Sequence, residues 1–251
     1  MSSKSILSSS HVSAQVLGRL ARVAATAGGS DRLFMIVQYT LTLVLPSLEP
    51  ASLLSAKNRS PHAHPTLKLY MSLKRLRDLC SDYRIFARLV GYPAIHSWGI
   101  STYEKPPAST RSVPRWIEDL QVLVNLAYQP LENLAYLSSH DIVPLQKSTE
   151  TKLWLWSCRC WAAHVFLDLY RLHLVRQDYI KSKTIMDKST EEKNALSFNW
   201  AREVIINLAY APLTLHWSLE HGLPGLTERG VGAFGVVAAI GQLSKVWEAA
   251  R

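Results

Sequence analysis

The cysteines, histidines and carboxylates are the side chains that could carry chemistry, and their spacing argues against most of it. Cys158-x-Cys160 lacks the spacing of a zinc-ligand pair and has no second pair to complete a site. On a helix its two thiols would point in different directions. His62-x-His64 lies in a proline-rich stretch with no carboxylate nearby. His164 and Asp168, at i and i+4, share a helix face, a pairing that reads as structural. His216 and His221 flank Trp217 without a nucleophile. Gly230-x-Gly232-x-x-Gly235 spells the dinucleotide fingerprint, but no strand pattern precedes it and too few residues follow for a βαβ unit. Nucleophile-elbow, Walker, HExxH and kinase signatures are all missing. The expectation is a non-enzyme with no cofactor and no metal site.

The elements that carry these residues are helical throughout, because no sustained alternating pattern occurs and the apolar positions recur at helical spacing. A helix is expected over 12–27, with Val16, Leu20, Val23 and Ala27 on one face. Gly28-Gly29 would end it, and Ser30 or Asp31 would cap the next. Leu33 to Leu45 is an uncharged, mostly apolar run stopped by Pro46. Its thirteen residues rise about 20 Å, short of a hydrocarbon core of roughly 30 Å, so it reads as buried or interfacial. Residues 46–65 and 97–114 read as proline-rich loops, and 181–195 as a polar connector. Further helices are expected over 66–90, 116–138, 152–179, 200–220 and 227–250.

Asn125-Leu-Ala-Tyr-Gln-Pro130-Leu recurs 82 residues later as Asn207-Leu-Ala-Tyr-Ala-Pro212-Leu. Proline inside a helix deletes a hydrogen bond and kinks the axis, so Pro130 and Pro212 are read as matching structural kinks. Two related halves of one domain over 1–251 follow: an N-terminal half over 12–138 and a C-terminal half over 198–251. A Trp-rich helix and connector over 139–197 joins them.

Segment 66–90 carries the most functional information. Leu69, Leu73, Leu76, Cys80, Tyr83, Ala87 and Val90 alternate by four and three, so they form one stripe. Lys74, Arg77, Arg84 and Arg88 fall along one flank of that stripe, with Lys68 and Arg75 on the other. Asp78 and Asp82 lie on the far side. This pattern predicts an interfacial helix: apolar side chains (Leu69, Leu73, Leu76, Tyr83) at the acyl boundary, and basic ones (Lys74, Arg77, Arg84, Arg88) snorkelling to phosphates. The alternative is the same helix packed on the protein's own core with a solvated basic face.

Gly230 to Ser244 contains no charge, and Lys245 and Trp247 follow it. The stretch reads as a short membrane segment over 230–247 in which Gly232, Gly235 and Gly241 allow close helix approach. In Leu153 to Tyr170, Trp154, Trp156 and Trp161 suit an interface, whereas Arg159 and Asp168 disfavour the bilayer centre.

Composition agrees with a membrane-associated protein. Charged residues are 19% of the chain, below the roughly 25% of an ordinary soluble domain, and apolar residues are 48%. The formal net charge of +9 suits an anionic lipid surface or nucleic acid. No RNP-like strand, zinc finger or dense basic tail is present, so nucleic acid is not expected as a partner. Three cysteines give no disulfide framework, and the N-terminus lacks a secretory apolar run.

The order of these segments resembles the peroxin-11 family of peroxisomal membrane proteins, in a fungal type-C-like form. The resemblance rests on Asp31-Arg32…Gln38-Tyr39, the basic helix at 66–90 and Glu118-Asp119…Tyr128-x-Pro130-x-Glu132. It rests also on Trp154, Arg159 and Trp161, and on Pro212…His216-Trp217…Gly222 ahead of the Gly-rich tail. It implies a protein of the peroxisomal membrane that elongates peroxisomes and promotes their proliferation and fission. Self-association, paralogues of the same family and fission machinery would be its partners. Some relatives are credited with pore activity. A second expectation is therefore a pore for small metabolites, built on Asn125/Asn207 and Tyr128/Tyr210.

Overall fold

The computed structural model describes residues 3–49, 65–104, 113–181 and 188–251. His62 and His64 lie outside these residues. Eight helices are described: α1 (Ser3–Ala24), α2 (Ala27–Leu48), α3 (Pro65–Arg88), α4 (Tyr92–Tyr103), α5 (Arg115–Ser139), α6 (Lys147–Lys181), α7 (Thr190–Trp217) and α8 (Glu228–Ala249). Among the described residues there is no strand, so the class is all-α.

The helix boundaries follow capping chemistry more closely than the apolar pattern suggested. Thr26, not Ser30 or Asp31, caps α2: its hydroxyl accepts from the Gly29 N–H at 3.0 Å. Gly28 and Gly29 therefore sit inside the first turn of α2. A Cβ at Gly29 would meet the Thr26 hydroxyl at 2.7 Å, so the close turn needs glycine there. The 181–195 connector is shorter than expected, because Ser189 and Glu192 form a capping box that starts α7 at Thr190.

The expected loop over 97–114 is corrected by α4. Pro93 lies in its first turn, where a missing N–H costs nothing, so that proline opens a helix instead of closing one. Both repeat helices run unbroken through Pro130 and Pro212.

The bundle is knit along two lines. α6 lies between the repeat helices, packing on α5 and on α7. α8 packs on α2 and α7, so the C-terminal end of the chain closes on its N-terminal region. The core there comprises Met35 and Tyr39 of α2, Ala209 and Leu213 of α7, and Val231, Ala238 and Ala239 of α8. α1 finishes this junction. Arg19 donates to the Trp247 carbonyl and stacks 4.7 Å over the Trp247 ring, and Arg22 donates to the Ala250 carbonyl at 3.0 Å. Guanidinium groups thus satisfy the orphan carbonyls at the negative end of α8.

Candidate functional site

α3 is assembled as its pattern predicts, with Pro65 at its first position, where proline is tolerated. Its orientation against the bundle divides the basic residues. Cys80 is its one buried side chain. Lys68, Lys74 and Arg75 are exposed, whereas Arg77, Arg84 and Arg88 turn inward. Arg77 Nη1 donates to Glu228 of α8 at 2.5 Å, and Arg84 Nε donates to Asp31 of α2 at 2.9 Å. Arg88 forms a two-pronged bridge to Glu132 of α5, both prongs at 2.8 Å.

The inward arginines thus differ from the snorkelling arrangement read from the wheel, because carboxylates of three other helices meet them first. The apolar stripe divides as well. Leu73 is half-buried, while Leu69, Leu76, Leu79, Tyr83, Phe86 and Val90 form an exposed outer strip. Leu79 and Phe86, which lie beside the expected stripe, are 65% and 59% exposed.

The clasps are themselves supported. Gln38 accepts from Arg84 at 2.6 Å, and Arg84 lies 5.7 Å over the Tyr39 ring. Tyr128 donates its hydroxyl to Glu132 at 2.6 Å. At the C-terminal end of α3, Gln129 donates to the Arg88 carbonyl at 2.7 Å and Asn133 to the Leu89 carbonyl at 3.2 Å. Asp82 accepts from the Tyr136 hydroxyl at 2.9 Å and lies 3.1 Å from His140.

Behind α3 lies a cavity of about 1040 Å³ lined by α2, α3, α5, α6, α7 and α8. Asn125, Tyr128, Asn207 and Tyr210, the paired residues of the sequence repeat, all line it. The repeat meets α6 in matching fashion. Asn125 lies 2.9 Å from His164 Nδ1, and Asn207 donates to Asp168 at 2.8 Å. Burial holds His164 below the ordinary imidazole range despite the Asp168 charge, so the ring is neutral at pH 7. Burial pushes Asp168 up, but hydrogen bonds and charge from Arg171, with Gln121, outweigh it and hold the carboxyl below the usual range. Burial also pushes the Cys158 thiol up to about 11, so it is no reactive thiolate. His216 Nδ1 accepts from the Leu223 N–H at 2.9 Å and braces the turn at Gly222, whose φ is +71°.

α8 is long and apolar enough to cross a membrane, alone among the described helices. Its 22 residues rise about 33 Å, more than the uncharged stretch suggested by itself. Gly232 faces the Leu43 backbone and Gly235 the Tyr39 ring. At Gly241 a Cβ would meet Ile206 at 2.5 Å, so all three glycines mark close helix contacts.

Fold and site together define an all-helical bundle: a tail helix apolar and long enough to cross a membrane, an apolar strip outside, and a cavity of mixed polar and apolar lining behind a clasped basic helix. The model of the Peroxisomal biogenesis factor 11 (PEX11) family matches residues 17–247, and the chain belongs to that family of peroxisomal biogenesis factors. An uncharacterized protein of Schizosaccharomyces pombe (strain 972) is 33% identical over 123 residues. That match covers 49% of this chain and 55% of the relative, so the chain spans about half the relative's length. No solved structure matches.

Several family-bearing residues quoted from the sequence meet at α3: Asp31, Gln38 and Tyr39 around Arg84, and Tyr128 and Glu132 around Arg88. Leu79 and Phe86 could have been found beforehand, since extending the stripe by one helical position includes them.

Proposed function

We propose that the protein elongates peroxisomes and promotes their proliferation and fission from the peroxisomal membrane, with α8 as its anchor and α3 as its curvature-forming helix. The observation that carries this reading is the outer strip of α3, an uncovered apolar ridge on a helix flanked by the exposed cations Lys68, Lys74 and Arg75. Seated at the acyl boundary, such a ridge occupies area in one leaflet and bends the bilayer, while the cations meet anionic headgroups. Self-association, and contact with paralogues and fission machinery, would spread the effect along the membrane. The test is electron microscopy of phosphatidylcholine/phosphatidylserine vesicles carrying the full chain. Elongated vesicles are expected with the natural chain and round ones with L79E/F86E. Equal elongation by both would sink the reading.

A second reading is favoured by the cavity. Its paired Asn125/Asn207 and Tyr128/Tyr210 could pass or hold small polar metabolites. Conductance in planar bilayers that changes with N125L or N207L would support it, and a silent bilayer would count against it.

A further inference from the structure

The cavity is lined by ten charged side chains, five basic and five acidic, and each of them is already paired. Around α3 the pairs are Arg77 with Asp78 and Glu228, Arg84 with Asp31, and Arg88 with Glu132. Arg32 shares Asp31, Lys245 of α8 meets Glu203 of α7 at 2.5 Å, and Asp168 is held by Arg171 at 2.6 Å. The lining thus carries no net charge. A charged ligand would have to break one of these pairs and strand its other member in a partly buried site, which is strongly unfavourable. The ligand that suits this cavity carries no charge.

Uncharged polar groups, by contrast, are left open where the repeat helices meet α6. Asn125 donates to the Gln121 carbonyl at 2.7 Å and to His164 Nδ1 at 2.9 Å. Asn207 donates to the Glu203 carbonyl at 3.0 Å and to Asp168 at 2.8 Å. Both amide NH2 groups are therefore spent, and among the described residues both amide oxygens remain as acceptors without a donor. Because His164 Nδ1 accepts, the proton of the neutral ring sits on Nε2, a donor with no hydrogen-bond partner among the described residues. Beside these groups the lining is aromatic and aliphatic. Trp161 lies on Trp217 with ring centres 5.7 Å apart, and Tyr210 meets Trp161 at 5.3 Å. Trp217, Tyr210 and Leu226 pack into the same apolar cluster as Val231 of α8, so this wall borders the helix long and apolar enough to cross a membrane.

We propose that the cavity is a binding site for an uncharged lipid with a hydroxylated head and one hydrocarbon chain, of the monoacylglycerol class. Two head hydroxyls donate to the amide oxygens of Asn125 and Asn207, and the ester carbonyl accepts from His164 Nε2. The chain lies along the Trp161–Trp217 wall toward Leu226 and Val231. A cavity of about 1040 Å³ holds such a lipid, being at the upper end of the roughly 300–1,000 Å³ of small-molecule sites. The sequence repeat supplies the two acceptors from matched positions, which gives it a binding role beside its structural one. The site shares its cavity with the second reading above but not its ligand, because a small polar metabolite leaves the aromatic wall unused.

The test is photolabelling of the full chain in phosphatidylcholine vesicles with a monoacylglycerol that bears a diazirine in its chain, with adducts mapped by peptide mass spectrometry. Adducts are expected at Trp161 and Trp217 in the cavity, and at the exposed Phe234, Val237 and Ile240 of α8, which serve as the control for lipid outside it. Unlabelled monooleoylglycerol should remove the cavity adducts and spare those on α8. Its phosphate ester, lysophosphatidic acid, adds charge to the same chain and glycerol, and methyl oleate keeps the chain without the hydroxyls. Each should need at least about tenfold more to compete, since the site has no free charge for the first and unmet acceptors for the second. Equal competition by lysophosphatidic acid overturns the uncharged ligand, and equal competition by methyl oleate overturns the hydroxylated head. Competition by free glycerol at the same concentration overturns the lipid and supports the small-metabolite reading. Cavity adducts that no competitor removes overturn the site, and conductance then decides the small-metabolite reading separately. N125L should cut cavity labelling about tenfold with α8 labelling unchanged; the competition series on the natural chain holds the test if that variant folds poorly.

Discussion

Helices α3 and α8 carry the amphipathic basic pattern and the uncharged Gly-rich pattern of this chain, yet the bundle holds them by different means. α8 buries Val231, Gly232, Gly235, Ala238 and Ala239 and, at Gly232, Gly235 and Gly241, meets α2 and α7 at distances only glycine permits. α3 buries Cys80 alone, packs along α2 with Phe34 against Tyr83, and is tied further by ion pairs and side-chain caps. Contacts of shape fail all at once when the backbones separate. The molecule thus pairs a helix fitted by close backbone approach with one oriented largely by charge.

This contrast can be broken most directly at α8. Gly232→Val would drive a side chain into the Leu43 backbone, which cannot yield, and should cost about 3 kcal/mol in denaturant unfolding of the full chain. Glu132→Gln comes next. It unpairs Arg88 at the C-terminal end of α3, for an expected loss of about 2 kcal/mol in the same assay. Glu228→Gln removes a half-exposed partner from Arg77, which keeps Asp78, and should cost no more than about 0.5 kcal/mol. A cost equal to that of Gly232→Val would erase the distinction between the helices. Leu79→Ser should leave the unfolding midpoint within about 0.5 kcal/mol of the natural chain, since Leu79 supports nothing in the bundle. The same change should weaken vesicle elongation. A strongly destabilised L79S would place the outer strip in the core after all.

Much of the fold is legible from local rules. Seven of the eight helices follow from apolar spacing, and the Gly-rich tail announces its close contacts before any partner is known. α4 was hidden because a proline near a helix start and one past a helix end look alike in sequence, and only the docking of Gly99 against Val122 separates them. The α2 cap was misplaced by a few residues because Thr26, Ser30 and Asp31 are all competent caps, and the path of the preceding chain selects among them.

The site divides the same way. The sequence by itself determined that 66–90 is a basic amphipathic helix, that the tail is uncharged and rich in small residues, and that an Asn-Leu-Ala-Tyr-x-Pro-Leu unit occurs twice. Helical periodicity sets the angles between residues of one helix. It says nothing about which side meets a neighbour. Tertiary structure alone decided that Arg77, Arg84 and Arg88 face inward while Leu79 and Phe86 face out. The carboxylates that make the choice stand 151, 53 and 44 residues away from those arginines. Separations of that length become contacts only once the bundle has packed.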